Sequence, residues 1–591
     1  MITAADLSER KRLLLEGFLR GDGALRRRWG ERVEPRQMGE VPPISAEQQD
    51  VWLHASMAPG LPLYNEAITI HRNGSFDLPA FEQSFNEILR RHEIWRTSFE
   101  MADGRLRQIV HPELRVKLEL VDLTDLPEAE REKAALRIAA VDARKPFDLR
   151  KAPLLRARVL RLAQETHRIY VTLHHIIFDG VSIYRVVMPE LSALYAAFAQ
   201  GRRPNVPPPT LQYGDYALWR ERRLAADAST GELDYWRHKL AGELPALRLP
   251  TDRQHPAVPS YQGAMETFSL SAELTAALKA LSRQEGVTLY VTLLAAFKAL
   301  LHRYSGQDDI VIGGVTDMRR HPELEGLVGY FLNSVALRTQ PSAGTSFCEY
   351  LIEVRNAVLG ALDASTVPFD RVVREVQPKR DSGRHPVFQV LFSIEPPAPA
   401  FAEGWDLTQM DVTVGTAKFD LYLELDERSD GIIGRFLYSS DLFDAPSIRR
   451  MIGHWTVLLE AVVEDRQCTL GRLPLLTPRE TRRLLNDWNA TERDYPRMTL
   501  HRWFEAQARR TPDAIAVEFD GRTWRYRELD RRATQLAARL RRAGVGRETL
   551  VAIAVDRSFE MLAGLLAILG GGRISAARRV FAASAPRRAP R

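Results

Sequence analysis

The chain has 591 residues, of which 45% are hydrophobic and 27% are Asp, Glu, Lys or Arg, the make-up of an ordinary globular protein with room for several folding units at about 150 residues each. Its only cysteines, Cys348 and Cys468, lie far apart, which argues against a disulfide framework and for a reducing, cytoplasmic setting. The formal net charge of +6 is local: Arg573, Arg578, Arg579, Arg587, Arg588 and Arg591 fall in a tail without acids, so the excess does not describe a nucleic-acid-binding surface.

Residues 1–20 are too charged for a secretory signal, and their Leu and Phe positions predict an amphipathic leader helix. Strand-like segments follow near Ile68, Val116, Leu155, Val171 and Val311, and helical patterns cover 80–91, 128–142, 182–200 and 272–285. Residues 204–209 are Pro-rich and read as a loop. The apolar run 561–570 is too short to span a bilayer, so no membrane insertion is expected.

The most informative stretch is His174-His175-Ile176-Ile177-Phe178-Asp179-Gly180. The β-branched, alternating run 168–173 before it reads as a buried strand, which places the histidines on a strand-to-helix loop. Neighbouring side chains on an extended backbone point to opposite faces, so one imidazole faces a channel while the other packs inward. We assign His175 to the channel and His174 to the packed position. A neutral imidazole there accepts a proton at cellular pH. Asp179, if buried, needs a cationic partner, and Gly180 allows a tight turn into the next helix. No metal-ligand spacing surrounds the pair, so no metal site is expected.

This motif, HHxxxDG, resembles the signature of condensation domains of nonribosomal peptide synthetases, in the chloramphenicol-acetyltransferase-like superfamily. Further segments resemble that family's motifs in order: 45–52 (SAEQQDVW), 91–99 (RHEIWRTSF), 213–219 (YGDYALW), 328–334 (VGYFLNS), 367–370 (VPFD) and 380–386 (RDSGRHP). The resemblance spans about 40–465. It implies an α/β fold of two lobes, each a mixed sheet flanked by helices, set in a V around a tunnel. The boundary between lobes is expected between Trp219 and Pro250. The expected organisation is a leader (1–39), an N-lobe (40–225), a C-lobe (226–468), a linker (469–499), an incomplete adenylation segment (500–570) and a tail (571–591). In the last parts, 486–491 resembles the linker to an adenylation domain and 523–529 (TWRYREL) resembles that domain's opening motif. The Ala/Arg/Pro-rich tail departs from the pattern and reads as an out-of-frame or truncated end. The phosphate loop is missing, so ATP and Mg are not expected to be used.

The resemblance implies amide formation between two thioesters carried on phosphopantetheine arms, with upstream donor and downstream acceptor carrier proteins as partners and no cofactor bound by the condensation region itself. His175 would remove the proton of the attacking amine or hold the amine. Gly180 would offer its N–H to the oxyanion. Asp179 would fix the loop by pairing with Arg96 or Arg319. Tyr330, Asn333 and Trp219 would line or support the tunnel, and Ser182 would cap the following helix. An epimerisation domain shares the histidine motif, and a non-catalytic recruitment domain shares the fold. A heterocyclising domain has Asp in place of the first histidine and fits less well. The stretch 63–68 (LYNEAI) resembles domains that take L-aminoacyl or polyketide-derived donors.

Overall fold

A computed structural model describes residues 32–37, 39–102, 104–226, 230–378, 383–395, 401–409, 411–495, 497–546, 549–570 and 577–579. The expected leader helix and most of the tail lie outside these residues. The chain divides into two compact units at Thr481/Arg482.

The first unit is built on two mixed sheets. Its strands are β1 (Asn65–Asn73), β2 (Thr97–Ala102), β3 (Arg105–Val110), β4 (Glu119–Asp122), β5 (Leu155–Ala163), β6 (Thr166–His174), β7 (Gly263–Ser271), β8 (Ile310–Asp317), β9 (Leu332–Thr339), β10 (Val390–Ile394), β11 (Trp405–Thr408), β12 (Leu421–Arg428) and β13 (Gly431–Ser439). The first sheet runs β11-β1-β6-β5-β4, and the second runs β7-β13-β12-β10-β8-β9; β2 and β3 form a separate hairpin.

Alternation along β6 explains why the first sheet is covered on both sides. Ile169, Val171 and Leu173 enter one core with Phe81, Phe85, Trp95 and Tyr184. Tyr170, on the other face, packs on Ala135 and Ala139 of the helix Glu128–Ala143. The second sheet buries Leu421, Leu423 and Leu425 of β12 against the helix Leu289–Ser305, whose residues 291–302 are all buried. Its opposite face is different in kind. The same period of two brings Leu391, Ser393 and Glu395 from β10 and its end, Tyr422 and Glu424 from β12, and Arg435 from β13 into the lining of one cavity.

β11, from late in the chain, joins the first sheet antiparallel to β1, with Thr69 opposite Thr408 and Arg72 opposite Trp405. The region carrying the second sheet is thereby stitched into the first.

Helix ends follow local chemistry. Ser45 and Gln48 form a capping box at the helix Ala46–Met57, Asp77 caps Leu78–Arg91, and Ser346 with Glu349 boxes Phe347–Asp363. Two expectations need correction. Val116 lies in an extended stretch ahead of β4, not in a strand, because the Asn86 side chain takes the place of a ladder: it accepts the Val116 N–H (2.7 Å) and donates to the Val116 carbonyl (2.8 Å). The helix expected over 182–200 opens with a π-helical segment, Ser182–Val187, before α-helix Met188–Phe198.

The second unit contains the helices Leu500–Arg510, Tyr526–Arg542 and Phe559–Gly570, and the hairpin Ile515–Phe519/Arg522–Arg525. Trp524, Leu529, Phe559 and Ala563 form its small core. Among the described residues, no single helix is long and apolar enough to cross a membrane.

Candidate active site

β6 ends at His174, and a 3₁₀ turn, His175–Ile177, carries the chain to Phe178, Asp179 and Gly180. Two hydrogen bonds pin the turn. The His175 N–H donates to the Tyr64 carbonyl (2.7 Å), and Gln48 Nε2 donates to the Ile176 carbonyl (2.8 Å).

The two imidazoles are in different surroundings. His174 is 4% exposed, its Nδ1 accepts the Ile176 N–H (3.3 Å), and its ring packs near Tyr64 and Phe147. Burial, helped by the neighbouring His175, pulls its pKa down to about 3, so it stays neutral. His175 lines the cavity, stacked on Phe178 and edge-on to Tyr330. Its Nδ1 lies 2.9 Å from the Phe178 carbonyl. A carbonyl only accepts, so Nδ1 carries the hydrogen and the lone pair is on Nε2. Burial lowers the His175 pKa below the ordinary value, against an opposing pull from Glu66, which favours the neutral, proton-accepting ring.

Asp179 is fully buried and accepts five hydrogen bonds. Arg319 Nη1 reaches Oδ2 at 2.7 Å and Nη2 reaches Oδ1 at 2.9 Å; the Ser182 N–H (2.9 Å) and hydroxyl (2.8 Å) also reach Oδ1, and the Phe331 N–H (3.0 Å) reaches Oδ2. The partner is therefore Arg319. Arg96 instead donates to the His111 carbonyl and lies 3.8 Å from Glu93. The cap of the following turn is the Asp179 carboxylate and not the Ser182 hydroxyl, which is buried between Asp179, Arg319 and the Gly329 backbone.

The cavity has a volume of about 1140 Å³. Tyr330 and Asn333 line it, as does Gly180. The Asn333 amide is nevertheless occupied: it donates to the Ser365 and Val367 carbonyls (both 2.8 Å) and accepts the Phe369 N–H (3.1 Å), holding that loop. Ser182 and Trp219 are not among the lining residues. Trp219 packs beside Tyr216 and His321 with Arg223 over its ring, so its place is in the support of the wall.

The charged wall facing the histidine was not foreseen. Arg435 donates to Glu424 (2.7 Å), to the Gln409 backbone carbonyl (2.8 Å) and to Glu66 (3.3 Å), while the Lys418 ammonium sits 4.4 Å from the Tyr64 ring centre. Burial opposes ionisation of Glu66, but Arg435, His175 and Lys418 outweigh it and hold its pKa low. Asp50, buried near Asp370 and Glu47, is pushed up to about 7. A signal did exist: Glu424 interrupts a leucine-rich strand and pairs in register with Arg435, a cross-strand couple of opposite charges.

Residues 38–485 match the family described as Condensation domain. The chain belongs to the condensation-domain family. Residues 504–578 match a second family, described as AMP-binding enzyme. A component of the linear gramicidin synthase of Brevibacillus parabrevis is 39% identical over 545 residues, covering 91% of this chain and 7% of that protein. Phosphinothricin tripeptide synthetase PhsC of Streptomyces viridochromogenes is 37% identical over 589 residues, covering 96% and 53%. The chain thus spans only part of these relatives' length. Among solved structures, the X-domain in a complex with OxyB from teicoplanin biosynthesis is 28% identical with a TM-score of 0.65, covering 76% of this chain and 99% of that one. A four-domain nonribosomal peptide synthetase shares the fold at TM-score 0.73 and 22% identity, covering 93% of this chain and 42% of its own. Condensation domains of such synthetases are acyl or peptidyl transferases, and they work with carrier proteins.

Proposed function

We propose that this condensation domain forms an amide bond between a carrier-bound acyl or peptidyl donor thioester and the amine of a carrier-bound aminoacyl acceptor. The observation that carries this reading is the His175 ring, whose Nδ1–H is tied to the Phe178 carbonyl while the ring borders the cavity with Nε2 unprotonated. The acceptor amine attacks the thioester carbonyl. The new C–N bond forms as the amine proton passes to Nε2. Collapse of the tetrahedral intermediate breaks the C–S bond, and the departing thiolate takes up the proton. Gly180, at the start of the helical turn and on the cavity wall, offers its backbone to the oxyanion. Holding both thioesters in one cavity supplies proximity, worth effective molarities of up to about 10⁵–10⁸ M in favourable cases. Asp179 and Arg319 act by fixing the loop.

A second reading is favoured by one finding: the X-domain, similar to this chain, is found in a complex with another protein. On that reading the domain would recruit a partner without catalysing transfer. The test is intact-mass spectrometry of an acceptor carrier incubated with the full chain and a panel of acyl, aminoacyl and peptidyl donor carriers. Transfer that disappears in His175→Ala supports amide formation. A folded chain that binds carriers and transfers nothing supports recruitment.

A further inference from the structure

The cavity wall beside Gly180 carries a carboxyl, Glu395, that forms no ion pair among the described residues. A Cβ placed on Gly180 would overlap Oε2 of Glu395, so this carboxyl lies directly against the last residue of the histidine motif. Glu395 follows β10, is partly exposed, and lines the same cavity as His175. Its backbone is fixed by a hydrogen bond from its N–H to the Leu425 carbonyl (2.7 Å). Ser393 pairs in register with Glu424, so Glu395, two residues on, is a diagonal neighbour of Glu424 on the same face. Two neighbouring carboxylates repel, which favours one of them keeping its proton.

Three of the cations on or near this wall have partners of their own. Arg435 spends its guanidinium on Glu424, on the Gln409 carbonyl and on Glu66. Arg428 pairs with Asp426 (2.6 Å), the next acid along the same face of β12. Lys418 lies over Tyr64. Among the described residues, no cation forms an ion pair with Glu395. Burial and the charge of Glu424 accordingly push the Glu395 pKa far above the carboxylate range, with Asp426 adding to and Arg435 opposing the effect. Tyr184 and Tyr422, also close by, are held in their neutral forms.

We propose that Glu395, through its carboxyl pair with Glu424, binds the ammonium group of an aminoacyl substrate beside Gly180. The substrate brings a cation to Glu395, Glu395 ionises, and its proton leaves to solvent. A neutral substrate group in the same place would face an acid that keeps its proton and gains no charge-assisted hydrogen bond. This makes Glu395 a specificity-determining residue. The inference rests on the substrates being carrier-borne aminoacyl groups, as argued above. The ammonium has two possible sources, the unacylated end of an aminoacyl donor and the acceptor's own amine.

Calorimetry on the full chain tests this with three pantetheine probes whose thioester is replaced by a stable amide: alanyl, N-acetylalanyl and lactyl. The alanyl probe is expected to bind at least about tenfold more tightly than the other two, the size of one charge-assisted hydrogen bond. Its heat should vary with the ionisation enthalpy of the buffer, which reports the released proton. In Glu395→Gln, which keeps size and hydrogen bonding, all three probes should bind within about twofold of one another, with the unfolding midpoint unchanged. Displacement of the alanyl probe by a loaded acceptor carrier, but not by a loaded donor carrier, identifies the acceptor amine as the source, and the converse identifies the donor. The proposal is overturned if the wild-type chain binds alanyl and N-acetylalanyl probes equally, if it binds no alanyl probe at millimolar concentration, or if Glu395→Gln retains the preference. The readout needs no turnover, so a chain that prefers the ammonium probe yet never transfers an acyl group refutes amide formation and leaves this inference standing.

Discussion

Replacing Asp179 by Ala removes one partner of an ion pair whose side chains are 0% and 2% exposed. The Arg319 guanidinium then keeps Asp317 (3.2 Å) and the Leu327 carbonyl (3.1 Å) but loses its bidentate acceptor, and the Phe331 N–H loses its acceptor, Oδ2. Breaking a buried pair from one side costs about 3–5 kcal/mol, and the remaining contact to Asp317 argues for the lower part of that range. Urea unfolding followed by tryptophan fluorescence should show this loss. Transfer by the folded fraction should fall as well, because Phe178, whose carbonyl holds His175, precedes Asp179 in the chain. The double variant Asp179→Leu with Arg319→Met, which removes both charges, should be less destabilised than Asp179→Ala despite altering more atoms. A loss below about 1 kcal/mol for Asp179→Ala, the range of exposed pairs, would refute the claim that this pair fixes the loop.

His174→Asn preserves an acceptor for the Ile176 N–H and removes an imidazole whose folded pKa is about 3. The unfolded chain takes up that proton near pH 6.5 and the folded chain near 3, so the wild type loses stability as pH falls through this window. The variant should gain on the wild type from about pH 6.5 down to about 3; a constant difference in urea midpoint would refute the assignment. Comparing the two chains cancels Asp50 and Asp420, which are pushed up to about 7 and act in the opposite direction. Gly329→Ala would drive a methyl into the Tyr213 ring, which is buried and unable to yield, and should cost about 1–3 kcal/mol or more in thermal or urea unfolding. An unchanged midpoint would mean that the backbone shifts freely there. Gly180→Ala meets only the far end of Glu395, so stability should change by less than about 1 kcal/mol while transfer falls, since the displaced carboxyl enters the cavity. Full activity in that variant would show that the space beside Gly180 is unused.

The histidine loop was legible because its information is local. A β-branched strand, a turn and a helix follow one another in sequence, and alternation tells the two imidazoles apart, while the 3₁₀ turn after β6 is what leaves His175 on the cavity. The choice between Arg96 and Arg319 was not legible, because Asp179 and Arg319 are 140 residues apart and only the packing of the 327–331 segment brings them together. The charged wall was hidden for a similar reason. Glu66, Glu395, Glu424 and Arg435 come from four separate strands or strand ends, and each looks ordinary within its own segment. For Trp219 the sequence left lining and support both open, because an aromatic within a family motif supports a fold as readily as it lines a channel; packing against Tyr216 and His321 decides for support.

The seating of β11 beside β1 also bears on how the chain is made. Thr69, on β1, is hydrogen-bonded to Asp411, just past β11, and the two are 342 residues apart. At synthesis rates of about 5–20 residues per second, β1 emerges from the ribosome roughly twenty to seventy seconds before the strand that covers its outer edge. During that interval the first sheet offers an unpaired edge, the feature that most readily recruits a stray strand from another chain. Slow translation through 175–400 would therefore lower the yield of soluble protein by lengthening the time that this edge stays open.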